Sequence, residues 1–122
     1  GVSVLAYNGD TDYVCDWIGG KRWVEELDWP HRAAWAATRD VPFLVDGVAH
    51  GMERSKEGLT FLQVYNAGHL VPMDQPEASL AMLRELLSPR SRWAAGGAAA
   101  TSATAATPAA APPLLGLGQL VS

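Results

Sequence analysis

Two short polar segments of the chain contain the residue types from which a proton-transfer site can be built. Residues 8–12 (NGDTD) supply two carboxylates, and residues 66–69 (NAGH) supply an imidazole. A carboxylate that accepts a hydrogen bond from one imidazole nitrogen fixes the tautomer and stabilises the imidazolium, which leaves the second nitrogen free to take a proton from a nucleophile. The spacing alone leaves open the alternative that the histidine is an ordinary surface or capping residue.

Both polar segments follow patterns that predict β-strands. Residues 2–7 form a short apolar run that ends in a turn, which suits a buried parallel strand, and residues 59–65 alternate and are rich in β-formers. Reactive groups of α/β sheets collect where strands end and helices begin, and both segments occupy such positions.

The remaining elements are predicted from periodicity and from helix and turn signals. The pattern predicts two short helices within 13–27 that are separated at Gly19-Gly20, followed by a surface helical turn or loop over 29–40. It then predicts a hairpin of 43–45 and 48–53 around Asp46-Gly47. An amphipathic helix is predicted over 76–87. The predicted apolar side of the last helix consists of Ala78, Leu80, Leu83, Leu86 and Leu87.

This order of elements resembles the last portion of an α/β sheet protein rather than a self-contained fold, because a buried strand needs neighbours on both sides and the chain supplies too few. Every Asp, Glu, Lys and Arg lies before Trp93, and residues 94–122 are mostly Ala, Gly, Thr and Pro. We therefore predict a structured region over residues 1–92 and a disordered low-complexity tail over 93–122.

Composition argues against several classes of partner and cofactor. The net charge is −4 and no run of Lys or Arg exceeds two residues, so neither nucleic acid nor an anionic membrane is an expected partner. No segment approaches the roughly 20 apolar residues of a membrane span. Cys15 is the single cysteine and no CxxC or His-x-x-x-His spacing occurs, so we expect no disulfide, metal or other cofactor.

Three blocks of the sequence carry a family resemblance. They are VLAYNGDTDYVCDWIGGKRWVEELDW (4–29), LTFLQVYNAGHLVPMDQPEASLAMLREL (59–86) and, more weakly, the hairpin between them. The combination of GDxD…C…W with GHxVPxDQPEASL resembles the serine carboxypeptidases of the α/β-hydrolase fold, the group that includes carboxypeptidase Y and lysosomal protective protein. The resemblance covers nearly all of 4–87, and it implies the last sheet strands, hairpin and final helix of that fold.

The resemblance implies a role for each matching position. Asp12 matches the acid of the catalytic triad and His69 matches its base, while Asp10 matches a structural carboxylate of the turn and is the main rival for the role of acid. Cys15 matches a cysteine near the site that can make such enzymes sensitive to mercurials. Leu70 lies where the family often has Met, beside the pocket for the C-terminal side chain of the substrate.

Plainer interpretations stand beside these roles. Asp12 also suits the N-cap of the helix that follows it, and free cysteines such as Cys15 are most often buried small hydrophobes. Asp74 is predicted to serve the start of the last helix. Asp16 lies where the family usually has Asn, which could alter the charge of the pocket.

The triad nucleophile has no counterpart in this chain, because no GxSxG elbow occurs. The resemblance therefore implies a C-terminal fragment whose partner is the missing N-terminal portion of the same protein, and which is inactive alone. The parent would release C-terminal residues from peptides and proteins through an acyl-enzyme, without a cofactor, on the secretory route to the vacuole, lysosome or cell exterior. A carboxypeptidase-like acyltransferase and an inactive, non-enzymatic fragment remain as alternatives.

Overall fold

A mixed four-stranded sheet is the centre of the computed structural model, which describes residues 2–96. The strands are β1 (Val4–Gly9), β2 (Val41–Val45), β3 (Val48–Lys56) and β4 (Leu59–Val64), in the spatial order β1-β4-β3-β2. β1 and β4 are parallel, whereas β3 is antiparallel to both β4 and β2. The helices are α1 (Trp17–Glu25), α2 (Arg32–Ala36), α3 (Val71–Asp74) and α4 (Pro76–Leu87). The predicted α/β class is confirmed.

Apolar residues pack on both faces of the sheet, because successive side chains of a strand point to opposite sides. On one face Leu59 and Phe61 of β4 pack with Val24 of α1 and Trp35 of α2. On the other face Leu62 and Val64 belong to a larger cluster, whose remaining members are Phe43, Ala67, Val71, Ala78, Met82 and Trp93. Helices therefore cover the sheet from both sides.

β1 differs from the buried strand predicted over 2–7. It begins and ends two residues later and forms one edge of the sheet, so its backbone pairs on one side only within residues 2–96. Val4 and Tyr7 are about half exposed as a result. The prediction that the chain supplies too few neighbours for this strand agrees with that arrangement.

The hairpin and the final helix were predicted from local signals, and both are confirmed. Asp46 and Gly47 have φ values of 49° and 82° between β2 and β3, and α4 spans the predicted residues 76–87. The predicted apolar side of α4 is wrong at three of its five positions, because Leu80, Leu83 and Leu87 are exposed. Ala78 is buried and Leu86 packs against the core as predicted, and the helix also buries Ser79 and Met82.

α1 is one continuous helix, so the predicted break at Gly19-Gly20 is wrong. Gly20 lies against the side chain of Asn8 at the end of β1, and a Cβ at this position would overlap the Asn8 oxygen. The glycine thus allows the close approach of helix and strand, which outweighs its poor intrinsic helix propensity. The N-cap of α1 is Asp16, whose carboxylate accepts the Gly19 N–H at 2.8 Å.

Two tryptophans anchor segments that are predicted as a surface helical turn or loop (29–40) and as a low-complexity tail (93–122). Trp35 of α2 is 1% exposed and donates from its indole nitrogen to the Leu59 carbonyl at 2.9 Å. Trp93 is also 1% exposed, so the packed region extends past the boundary predicted at residue 92. The rest of the predicted tail, 97–122, lies outside the described residues.

Two ion-pair networks connect the layers. Arg54 on β3 forms ion pairs with Asp40 and Glu25. Arg92 binds the buried Glu53 with two 2.9 Å bonds and also contacts Glu85.

Among residues 2–96, no helix is long and apolar enough to cross a bilayer.

Candidate active site

The carboxyl ends of β1 and β4 meet, because the two strands are parallel neighbours with Gly9 opposite Val64. The turn after β1 is bonded to the loop after β4 at three points. The Asp10 N–H donates to the Val64 carbonyl at 2.9 Å, and both the N–H and the hydroxyl of Thr11 donate to the Ala67 carbonyl, at 3.0 and 2.8 Å. These bonds hold the two polar segments side by side.

Gly9 is required for this contact between the two segments. A Cβ at position 9 would overlap the carbonyl oxygen of Ala67, which is a backbone atom rather than the end of a flexible side chain. The absence of a side chain at Gly9 therefore lets the turn and the loop approach closely.

Asp12 and His69 lie within hydrogen-bonding distance, with 2.9 Å between the Asp12 Oδ2 and the His69 Nδ1. The other carboxylate oxygen, Oδ1, accepts the backbone N–H groups of Val14 at 2.9 Å and Cys15 at 3.0 Å. The Asp12 side chain is 6% exposed, whereas that of His69 is 68% exposed. Asp12 thus orients the imidazole, and the N-cap role considered for it belongs to Asp16 instead.

Electrostatics favour the ionised form of this aspartate. The backbone N–H of Cys15, the His69 side chain and the backbone N–H of Val14 hold the pKa of Asp12 below its ordinary value. An ionised carboxylate only accepts hydrogen bonds, so the shared proton belongs to Nδ1 of His69. In the neutral imidazole this tautomer leaves Nε2 as the free acceptor.

The loop that carries His69 is also held from its far side. The Asp74 carboxylate accepts the Gly68 N–H at 2.7 Å, and the Gln75 side-chain amide donates to the Asn66 carbonyl at 3.1 Å. The predicted role of Asp74 at the start of the last helix is therefore wrong, since α4 begins without a side-chain cap and the carboxylate turns back to the loop.

Cys15 and Leu70 flank the aspartate–histidine pair. Cys15 is exposed, which contradicts its interpretation as a buried hydrophobe, because the turn after Asp12 carries it to the surface. Leu70 directly follows His69 and is 57% exposed. Neither side chain is needed to fill the core of this chain.

Cys15, Asp12 and His69 offer sulfur, oxygen and nitrogen atoms within 4.8 Å of one another, which are the ligand types that zinc prefers. Both Asp12 oxygens already accept hydrogen bonds, however, and one of them is bonded to the imidazole itself. This arrangement therefore describes a hydrogen-bonded acid–base pair better than a metal centre.

Asp10 occupies a different environment from Asp12. Its Oδ1 is buried and finds no hydrogen-bond donor within residues 2–96. Burial, together with the charge of Asp10, raises the pKa of the nearby Tyr65 hydroxyl. One oxygen of the Asp10 carboxylate is therefore buried inside the turn, whereas the Asp12 carboxylate is the one that reaches the imidazole.

Sequence comparisons connect this geometry with known proteins. The family model described as serine carboxypeptidase matches residues 1–89. Serine carboxypeptidase-like 47 of Arabidopsis thaliana is 45% identical over 92 residues, which are 75% of this chain and 18% of that protein. Serine carboxypeptidase 3 of Oryza sativa subsp. japonica is 48% identical over 84 residues, 69% of this chain and 17% of that protein.

A serine carboxypeptidase-like protein of Pisum sativum is 44% identical over 85 residues, which are 70% of this chain and 30% of that protein. The chain thus spans less than a third of the length of each of these three relatives. The matched region includes both polar segments and all the strands and helices described above. The chain belongs to the serine carboxypeptidase family.

Proposed function

We propose that this chain supplies the acid and the base of a serine-type carboxypeptidase with an α/β-hydrolase fold. The observation that carries the proposal is the 2.9 Å contact between the Asp12 Oδ2 and the His69 Nδ1, at the carboxyl ends of neighbouring parallel strands. A second observation supports it, since the imidazole is largely exposed and its Nε2 has no hydrogen-bond partner among the described residues 2–96, which leaves it able to meet a nucleophile.

In the proposed reaction His69 acts first as a base and then as an acid. Its Nε2 takes the proton of a serine hydroxyl as the serine oxygen attacks the scissile carbonyl, and it returns that proton to the departing amine. A water then repeats the sequence on the acyl-enzyme, which releases the shortened peptide and regenerates the serine. Asp12 remains ionised throughout and stabilises the imidazolium.

The nucleophile and the groups that stabilise the oxyanion are proposed to lie in the upstream part of the same protein. Two features of β1 fit this arrangement. The outer edge of β1 is unpaired within residues 2–96, and Val4 at its start is about half exposed. Val2 and Tyr13, which precede and follow β1 in the chain, are almost fully exposed. An additional strand would satisfy the open backbone groups and cover this surface. The 122 residues alone are accordingly proposed to be inactive.

Leu70 and Cys15 are proposed to line the substrate pocket, because both are exposed and flank the acid–base pair. The substrates are proposed to be C-termini of peptides and proteins, as the names of the relatives indicate. A secretory destination, in the vacuole, lysosome or cell exterior, is proposed on the same resemblance.

The test uses the intact protein that includes the upstream region. We expect it to release the C-terminal residue of a blocked dipeptide and to react covalently with a fluorophosphonate probe. The substitution His69→Ala should abolish the release, whereas the matched control His31→Ala, which changes an exposed histidine at the start of α2, should not. Absence of probe labelling in the folded wild-type protein would refute the serine-hydrolase assignment.

A further inference from the structure

The Ala67–Gly68 peptide unit is bonded at both of its polar groups. Its carbonyl oxygen accepts two hydrogen bonds from Thr11, and its N–H donates to the Asp74 carboxylate at 2.7 Å. Because a peptide unit is planar and rigid, fixing its two ends fixes the direction in which the chain enters Gly68, the residue directly before His69. Thr11 belongs to the turn that carries Asp12, and Asp74 is the last residue of α3.

His69 depends on this support, because little else in the described chain fixes its imidazole. The side chain is 68% exposed, and its bond to Asp12 is a single contact. Gly68 directly precedes it, and a residue without a Cβ leaves the backbone more freedom than any other. The loop therefore needs an external anchor on the side that faces away from Thr11.

We propose that Asp74 is a positioning residue, which holds the Gly68 N–H and thereby keeps the His69 imidazole against Asp12. The effect of Asp74 on reaction rate rests on the function proposed above, but its effect on the geometry of His69 does not. A bond from an N–H to a carboxylate is among the stronger hydrogen bonds of proteins, so its loss should loosen the loop even though the Gln75 amide still holds the Asn66 carbonyl.

Two substitutions separate the hydrogen bond of Asp74 from its charge. Asp74→Ala removes the acceptor, whereas Asp74→Asn keeps a carbonyl oxygen that can accept the Gly68 N–H and removes only the charge. The matched control is Glu77→Ala, because Glu77 is an exposed carboxylate in the first turn of α4 and has no bond to the loop within residues 2–96.

The kinetic measurement uses the intact protein with a blocked dipeptide. For Asp74→Ala we expect kcat to fall by about 10- to 100-fold with a much smaller change in KM, because the displaced base affects the transition state more than substrate binding. We expect Asp74→Asn to retain kcat within about fivefold, since it preserves the hydrogen bond at reduced strength. Glu77→Ala should match the wild type.

The structural measurement uses NMR on the intact protein that includes the upstream region, and it requires no activity. In Asp74→Ala we expect the Gly68 amide to lose its protection from exchange and the Nδ1 proton of His69 to broaden, while the amides of β4 remain unchanged. Asp74→Asn should retain both signals. If the intact wild-type protein proves inactive, the proposed function fails, but the NMR comparison still decides the role of Asp74.

Two results would overturn the proposal. One is a His69 signal and Gly68 protection that are unchanged in Asp74→Ala. The other is loss of β4 protection together with that of the loop, which would make Asp74 a general support of the fold rather than a positioning residue.

Discussion

Trp35 and Trp93 allow a sharp test of the core packing. The two side chains are equally buried, but among the described residues the indole N–H has a hydrogen-bond acceptor in only one of them. Both side chains are 1% exposed. The indole N–H of Trp35 donates to the Leu59 carbonyl, whereas that of Trp93 is buried and finds no acceptor within residues 2–96. Replacing either tryptophan with phenylalanine removes a similar apolar volume. The replacement removes a stabilising hydrogen bond at position 35 but a destabilising unpaired donor at position 93.

The expected difference follows from these contacts. Trp35→Phe loses a hydrogen bond worth about 0.5–1.5 kcal/mol, whereas Trp93→Phe removes an unpaired buried donor that costs about 1–3 kcal/mol in the native state. The free energy of unfolding should therefore fall further in Trp35→Phe than in Trp93→Phe, by about 1.5–4.5 kcal/mol. Trp93→Ala should itself cost about 3–5 kcal/mol, because it empties a site in the larger core cluster.

Urea denaturation followed by far-UV circular dichroism measures these differences without relying on tryptophan fluorescence. Equal losses in Trp35→Phe and Trp93→Phe would refute the assignment of their polar contacts. A loss below about 1 kcal/mol in Trp93→Ala would show that Trp93 is not part of the core.

Three further predictions concern the glycine at the close contact between the two polar segments, the buried ion pair and the dependence of stability on pH. Gly9→Ala should lower the free energy of unfolding by about 1–3 kcal/mol or more, because its Cβ would overlap the Ala67 carbonyl oxygen. A thermal melt measures this loss, and an unchanged melting temperature would contradict the prediction. Arg92→Met should lower the free energy of unfolding in urea by about 3–5 kcal/mol, because it leaves the 3% exposed Glu53 without its bidentate partner. Adding Glu53→Gln should recover part of this loss. No recovery in the double variant would contradict the pairing. The backbone N–H of Cys15 is the main cause of the lowered pKa of Asp12, so this group stabilises the fold above its unfolded pKa of about 3.9 and loses that contribution as pH falls through the native value. Stability measured between pH 6 and pH 2 should accordingly fall less steeply in Asp12→Asn, and parallel profiles would refute the linkage.

Local sequence signals predicted the elements whose structure is decided locally. The turn residues Asp46-Gly47 define the hairpin, and the proline at position 76 marks the start of α4. The Asp12–His69 contact joins residues 57 positions apart, and it was expected only from the rule that reactive groups gather at strand ends and from the family resemblance.

The features that were missed depend on tertiary contacts. α1 continues through Gly20 because Asn8 approaches it there, and this neighbour comes from another element. The spacing of α4 is compatible with more than one apolar stripe, and the sheet selects the one that contains Ala78 and Met82. Asp74 reaches back to Gly68 through a loop path that no periodicity encodes. Each of these choices is made by packing rather than by intrinsic propensity.

The central claim is that Asp12 and His69 act as a unit in proton transfer, and a double-mutant cycle on the intact protein tests it most directly. The measured quantity is kcat/KM for release of the C-terminal residue from a blocked dipeptide. Because the members of such a unit are strongly non-additive, we expect Asp12→Asn to lower the rate by about 10⁴-fold and His69→Ala by more. The double variant should then be no slower than His69→Ala alone. Losses that multiply in the double variant, or substantial activity in His69→Ala, would contradict the account.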